Sequence, residues 1–136
     1  MAFPDQEHTT SGRGIAAVLA SVFLIACGRR QAAESEVRRI GAENLAVSVE
    51  ALRPPGNHVA VRMAVPEADW PATLRAIEPQ TVTVGPQGVF VKLESGFAGE
   101  SGVFIAFTGV SVPTGSGTDP SFEHLEGRIY WYRIKG

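Results

Sequence analysis

Residues 81–94 predict a β-hairpin and read Thr81-Val82-Thr83-Val84-Gly85-Pro86-Gln87-Gly88-Val89-Phe90-Val91-Lys92-Leu93-Glu94. Residues 81–84 and 89–94 are two runs rich in β-branched and apolar side chains, and the four residues between them contain Gly and Pro. Two such runs around a short turn are typical of paired antiparallel strands. The hairpin therefore predicts an antiparallel sheet in the middle of the chain.

Two other segments alternate as strands do, because successive side chains of a strand point to opposite faces. Residues 58–65 alternate with Val59, Val61 and Met63 on one face, and Pro66 ends the run. Residues 102–108 alternate with Val103, Ile105 and Phe107. Both segments are predicted to join the sheet.

The last predicted strand is aromatic and covers residues 128–134. It places Ile129 and Trp131 on one face and Tyr130, Tyr132 and Ile134 on the other. Residues 109–126, before it, contain the Gly-rich stretch Thr114-Gly115-Ser116-Gly117-Thr118-Asp119-Pro120 and predict a long loop.

Helical spacing is present in two places. Residues 31–52 carry apolar side chains at intervals of three and four and predict an N-terminal helix, although residues 45–50 are also compatible with a strand. Residues 69–77 predict a short helix with Trp70, Leu74 and Ile77 on one face and Pro71 in the first turn.

A helix followed mainly by consecutive strands predicts an α+β fold. We expect one domain over residues 34–136, with the N-terminal helix and the short helix packed on an antiparallel sheet of about four to five strands.

Composition excludes several classes of function. The chain has 12 Lys and Arg against 14 Asp and Glu, so it lacks the basic excess of a nucleic-acid-binding protein. Its single cysteine excludes an intramolecular disulfide and a thiolate zinc cluster. No cofactor is predicted, because Gly115-x-Gly117 is not followed by the Gly-Lys-Ser/Thr of a phosphate loop.

An uncharged apolar run, Ile15–Ala26, precedes the cysteine. It is shorter than the about 20 apolar residues that span a bilayer, and it suits a signal peptide. The sequence Leu24-Ile25-Ala26-Cys27 resembles the lipobox of bacterial lipoproteins. That resemblance implies a cleaved signal peptide over residues 1–26, a lipidated Cys27 at the new N-terminus and a tether over residues 27–33.

Gly28 stands where inner-membrane lipoproteins typically carry an aspartate. The resemblance therefore implies an outer-membrane protein facing the periplasm. An uncleaved anchor and ordinary secretion stay open, because the leader carries Asp5 and Glu7 and because Arg29 and Arg30 follow the run. The remaining chain resembles small uncharacterised bacterial proteins in placing Trp70-Pro71 before the hairpin and an aromatic strand last, and this implies no activity.

The loop at residues 116–126 is the best candidate for a catalytic site in this sequence. Ser116 or Ser121 with His124 and Asp119 is one hypothesis for a small hydrolase, and Asp119, Glu123 and His124 is one for a metal site. No Gly-x-Ser-x-Gly elbow and no zinc-ligand spacing occurs. We therefore predict no enzyme activity, no catalytic residue and no metal ligand.

Binding is the preferred function. With Ile129 and Trp131 in the core, Tyr130 and Tyr132 are predicted to face outward beside Arg133, and Tyr and Arg are enriched at interfaces. Asp119 and His124 in the preceding loop complete the candidate surface. The alternative is that the N-terminal helix covers this face.

These observations predict a lipid-anchored envelope protein that acts as a non-enzymatic binding or assembly module. Its partners would be the membrane, through the lipid, and an envelope protein or peptidoglycan. The alternative is an inhibitor or immunity protein against an envelope-active enzyme or toxin, and the small hydrolase ranks third.

Overall fold

Three helices lie on one face of a six-stranded antiparallel sheet in this computed structural model, which describes residues 28–56 and 61–136. The predicted signal peptide, Cys27 and His58 lie outside these residues. The helices are α1 (residues 28–40), α2 (Ala42–Glu50) and α3 (Ala72–Arg75). The α+β prediction is confirmed, with a slightly larger sheet than expected.

The strands follow the order β1-β2-β3-β4-β6-β5 across the sheet, so the last strand of the chain lies inside it. Their bounds are β1 (Met63–Ala64), β2 (Thr81–Val84), β3 (Gly88–Gly96), β4 (Gly99–Ala106), β5 (Ser121–Glu126) and β6 (Ile129–Lys135). The predicted hairpin is β2 and β3, with Val84 opposite Val89 and the Gly85 N–H donating to the Gly88 carbonyl at 2.9 Å.

The predicted N-terminal helix is two helices, because Gly41 adopts a φ of 92° that side chains other than glycine rarely reach. Residues 45–50 are helical rather than extended, since Leu45 and Val49 lie one turn apart and are both fully buried. α1 includes residues 28–33, which we expected to belong to the tether, and its Ala33 is buried in the core.

The prediction of a loop over residues 109–126 is wrong in its second half, because residues 121–126 form β5 and pair with β6. A register shift between His124 and Glu126 interrupts the alternation of this strand and obscures its pattern in the sequence. Of the predicted strand at 58–65, residues 58–60 lie outside the described part, and among residues 61–65 the strand covers Met63–Ala64, which is β1.

Both faces of the sheet are apolar. On the helix face, Trp131 and Ile129 pack with α1, α2 and α3, as predicted. On the opposite face, which we call the aromatic face, a second cluster forms around Phe104, Phe122 and Tyr132. This face is covered by the aromatic rings themselves and by Val110 and Val112 in the loop after β4. Tyr132 is therefore buried, and its predicted exposure is wrong.

Candidate functional site

A groove of about 420 Å³ runs along the outer edge of the sheet, where β5 is the terminal strand. We call it the β5 groove. Its lining comes from both faces of β5, from the loop before it and from β6: Thr114, Gly115, Ser116, Ser121, Phe122, Glu123, His124, Trp131 and Arg133. Two residues of the predicted binding surface, His124 and Arg133, therefore lie in one concave feature.

The loop before β5 is held to the sheet at two points. The Gly115 N–H donates to the Phe122 carbonyl at 3.1 Å, which adds a single bridge to the outer edge of β5. Asp119 Oδ1 accepts a hydrogen bond of 3.1 Å from the Lys135 N–H at the end of β6. Asp119, predicted as a binding residue, thus has a structural contact beside the groove.

His124 lies in β5 opposite Tyr130 of β6. Its Nε2 shares a hydrogen bond of 2.8 Å with the Gly127 carbonyl, and its ring meets that of Tyr130 edge-on at a centroid distance of 5.3 Å. Tyr130 is half-buried, so the two rings form an aromatic surface next to the groove.

The serine–histidine pair of the hydrolase hypothesis is not assembled in the part of the chain that the structure describes. Ser121 and His124 are three positions apart on a strand and point to opposite faces. The hydrogen bond of the His124 imidazole goes to a backbone carbonyl rather than to Ser116 or Ser121. The described residues also contain no group of three His, Cys, Asp or Glu side chains that could hold a metal.

Arg30 of α1 contacts two residues that line the groove, Glu123 and Trp131. Its guanidinium contacts Glu34 and Glu123, each at 2.8 Å, and lies 5.3 Å from the centroid of the Trp131 ring. The hydrogen bond from Arg30 holds the pKa of Glu123 below its usual range, and the charges of Arg30 and Arg133 act in the same direction. Glu123 is therefore an anion already paired within the protein.

The indole N–H of Trp131 is an unusual buried donor. Its side chain is 3% exposed, and Nε1 is buried without a hydrogen-bond partner among the described residues. Nearly all buried polar groups are paired, so this donor weakens the fold at the floor of the groove.

A polar network that sequence reasoning missed lies at the margin of the aromatic face. Tyr132 donates to Glu100 Oε1 at 3.1 Å, and Arg62 donates to the same oxygen at 2.9 Å. Arg62 also bonds Thr83 and lies 3.9 Å from the centroid of the Phe90 ring. The sequence spacing of Arg62 and Glu100 does not indicate that they meet. They come together only through the order of the strands in the sheet.

Burial raises the pKa of Tyr132, and the negative charge of Glu100 adds to the shift. Tyr132 is thus a structural hydrogen-bond donor rather than a contact residue. Of the predicted surface, His124 and Arg133 line the β5 groove, and Tyr130 packs against the His124 ring.

The helices among residues 28–56 and 61–136 are all too short or too polar to cross a membrane. No protein-family model, curated protein or solved structure matches the chain.

Proposed function

We propose that this protein is a lipid-anchored envelope module that binds an extended segment of an envelope protein along the β5 groove. The observation that carries the proposal is the groove itself, which lies at the terminal strand of the sheet and is lined with polar and charged side chains. The proposal assigns no chemical step to the protein.

The backbone of β5 supports strand addition as the binding mode. The Phe122 carbonyl already accepts a hydrogen bond from Gly115 on the outer edge. In an antiparallel ladder the backbone groups alternate in direction, so His124 presents its N–H and C=O to the same edge. Because Gly115 occupies the edge at Phe122, an extended peptide would pair with the His124 groups beyond this bridge, and adjacent side-chain pockets would select its sequence.

The side chains around the edge indicate the chemistry of the partner. Glu123 is neutralised by Arg30, whereas Arg133 is exposed and lines the groove with the hydroxyls of Ser116 and Ser121. This combination favours a segment with carboxylate or other acceptor groups, which Arg binds well. Tyr130 and His124 offer an apolar contact at one side.

The anchor is proposed from the sequence around Cys27 and is compatible with the packing of α1. α1 is helical from residue 28 onward and contributes Ala33 and Val37 to the core. A lipid on Cys27 would therefore hold the sheet close to the bilayer rather than on a long flexible tether.

The anchor is tested by incorporation of radiolabelled palmitate into the wild type and Cys27→Ser, with membrane fractionation. We expect label and membrane association in the wild type and the loss of both in the variant. An unlabelled wild type would contradict the lipid anchor.

The binding site is tested with a photo-crosslinking amino acid at Ser116, in intact cells. We expect a discrete adduct that Arg133→Ala removes and that the matched variant Arg38→Ala, at an exposed helix position, leaves unchanged. An adduct equally strong in both variants, or none in either, would contradict the groove as the binding site. An adduct that disappears only on digestion of peptidoglycan would replace the protein partner by peptidoglycan.

A further inference from the structure

Phe97 is fully exposed, with a relative accessibility of 106%, at the tip of the hairpin that joins β3 to β4. Its chain neighbours are Gly96 and Ala98, which bring no bulky side chain to shield the ring. Single exposed apolar residues are common on protein surfaces, so the position of the ring decides its meaning.

The start of α1 lies at the same end of the sheet as this tip. Arg29, in the first described turn of α1, donates to the Leu93 carbonyl in β3. β3 continues from Leu93 toward the hairpin at about 3.3 Å per residue, so Phe97, four residues on, lies roughly 13 Å beyond the contact with Arg29. We call this end, marked by Arg29, Phe97 and Lys135, the proximal end.

The opposite, distal end of the sheet has a different character. Gly127, in the turn between β5 and β6, lies against Ala42 at the start of α2. Glu50 accepts hydrogen bonds from Arg128 and Thr108 at this end. α1 thus runs the length of the sheet from the proximal to the distal end, and polar contacts close the distal end.

The chain outside the described residues meets the fold at the proximal end. The apolar run Ile15–Ala26 and Cys27 come directly before residue 28. Either a lipid on Cys27 or the retained apolar run would place the bilayer beside Arg29, and therefore beside the hairpin tip.

We propose that the tip of the β3–β4 hairpin inserts Phe97 into the lipid headgroup region as a second membrane contact. The headgroup boundary accommodates an apolar aromatic ring. Arg29 and Lys135 lie at the same end, which also carries Asp119 and Glu100, and the two cations would contact lipid phosphates locally. The anchor keeps the tip at high local concentration, so one weak contact suffices to orient the domain. This inference rests on the membrane anchorage of the proposed function.

The test uses the membrane-purified protein in vesicles of phosphatidylethanolamine and phosphatidylglycerol, with bromines on the acyl chains near the headgroup. Phe97→Trp adds one indole at the tip, and the wild type supplies the background from Trp70 and Trp131. Val47→Trp is the matched control, since Val47 is 63% exposed on α2, the helix that starts and ends beside the distal contacts.

We expect the brominated lipid to quench the added emission of Phe97→Trp and to leave that of Val47→Trp unchanged. Equal emission of Phe97→Trp in brominated and ordinary vesicles, with the protein still membrane-bound, would overturn the second contact and leave the anchor intact. A protein that does not float with the vesicles would overturn both the lipid anchor and the second membrane contact.

Discussion

The Tyr132 hydroxyl donates a 3.1 Å hydrogen bond to Glu100 from a side chain with no exposed surface. This bond connects the central strands β4 and β6 to Arg62 at the other side of the aromatic face. The residue that sequence reasoning assigned to a partner is thus part of the internal support of the sheet.

Tyr132→Phe should lower the free energy of unfolding by about 1 kcal/mol at neutral pH, the usual net worth of a buried hydrogen bond. Glu100 keeps Arg62 as a partner in the variant, so its carboxylate is not left isolated. Urea denaturation of the wild type and Tyr132→Phe checks the value, with Tyr130→Phe as the control on the same strand.

The hydrogen bond between Tyr132 and Glu100 also predicts that the stabilities of the wild type and Tyr132→Phe depend differently on pH in the alkaline range. Burial raises the pKa of Tyr132 above its ordinary value of 10.0, so the unfolded chain loses this proton first. The contribution is complete below pH 10 and declines as the pH rises above it, by at most about 1.4 kcal/mol per pH unit. An equally steep alkaline loss of stability in wild type and Tyr132→Phe would contradict this assignment.

Arg30 should stabilise the docking of α1 through its contacts with Glu34, Glu123 and the Trp131 ring. Arg30→Gln is expected to cost about 1 kcal/mol, because the carboxylates are partly solvated. A double-mutant cycle of Arg30→Gln with Glu123→Gln isolates one pair, and we expect a coupling of a few tenths of a kcal/mol because Glu123 is 62% exposed.

This coupling should weaken in acid. Arg30 lowers the pKa of Glu123 below its ordinary 4.5, so the contribution is present above that pH and declines as the pH falls further. The pair of Arg39 and Glu36, whose side chains are 64% and 34% exposed, serves as a control cycle within one helix. A Glu123 cycle with the same value at pH 7 and at pH 2 would contradict an ionic origin.

Gly102→Ala should unfold the protein or cost at least about 3 kcal/mol, because core overpacking against backbone has no easy relief. An ideal Cβ at Gly102 would lie 2.0 Å from the Val91 carbonyl oxygen on the neighbouring strand. Gly117→Ala is the control, since nothing lies within 4 Å of its Cβ position. Thermal melts compare the two, and similar melting temperatures would show that β3 and β4 do not approach as closely as described.

Trp131→Phe should cost less than a core aromatic substitution ordinarily does, because it removes the unpaired buried donor Nε1 along with part of the ring. Trp70→Phe is the comparison, since Trp70 Nε1 donates to the Val65 carbonyl at 2.9 Å. We expect Trp70→Phe to cost at least as much although Trp70 is less buried. A markedly larger loss for Trp131→Phe, measured by urea denaturation, would indicate that Nε1 has a partner.

Local patterns predicted most of the helices and strands. The β2–β3 hairpin follows from its turn and its β-branched runs, and α3 follows from Pro71 and the spacing of Trp70, Leu74 and Ile77. Gly41 divides the N-terminal helix in two. The helical spacing of apolar residues continues on both sides of Gly41 and therefore did not indicate the break. Strand β5 was missed because its two large apolar residues, Phe122 and Leu125, are three positions apart and pack on opposite faces of the sheet.

The candidate site was harder to predict, because its residues meet only through tertiary structure. Sequence reasoning reached His124 and Arg133 but misplaced Tyr132, since it did not anticipate that Phe90, Phe104 and Phe122 gather on the same face. No sequence pattern indicated the contacts of Arg62, because Glu100 and the Phe90 ring come from strands that are distant in sequence.

The position of β6 between β4 and β5 has a consequence for biosynthesis. β5 leaves the ribosome before β6, yet its ladder partner within the sheet is β6. The nascent chain therefore cannot close its sheet until residues 129–135 have emerged, and both apolar faces stay incomplete until then. The complete fold therefore forms late, once nearly the whole chain has left the ribosome.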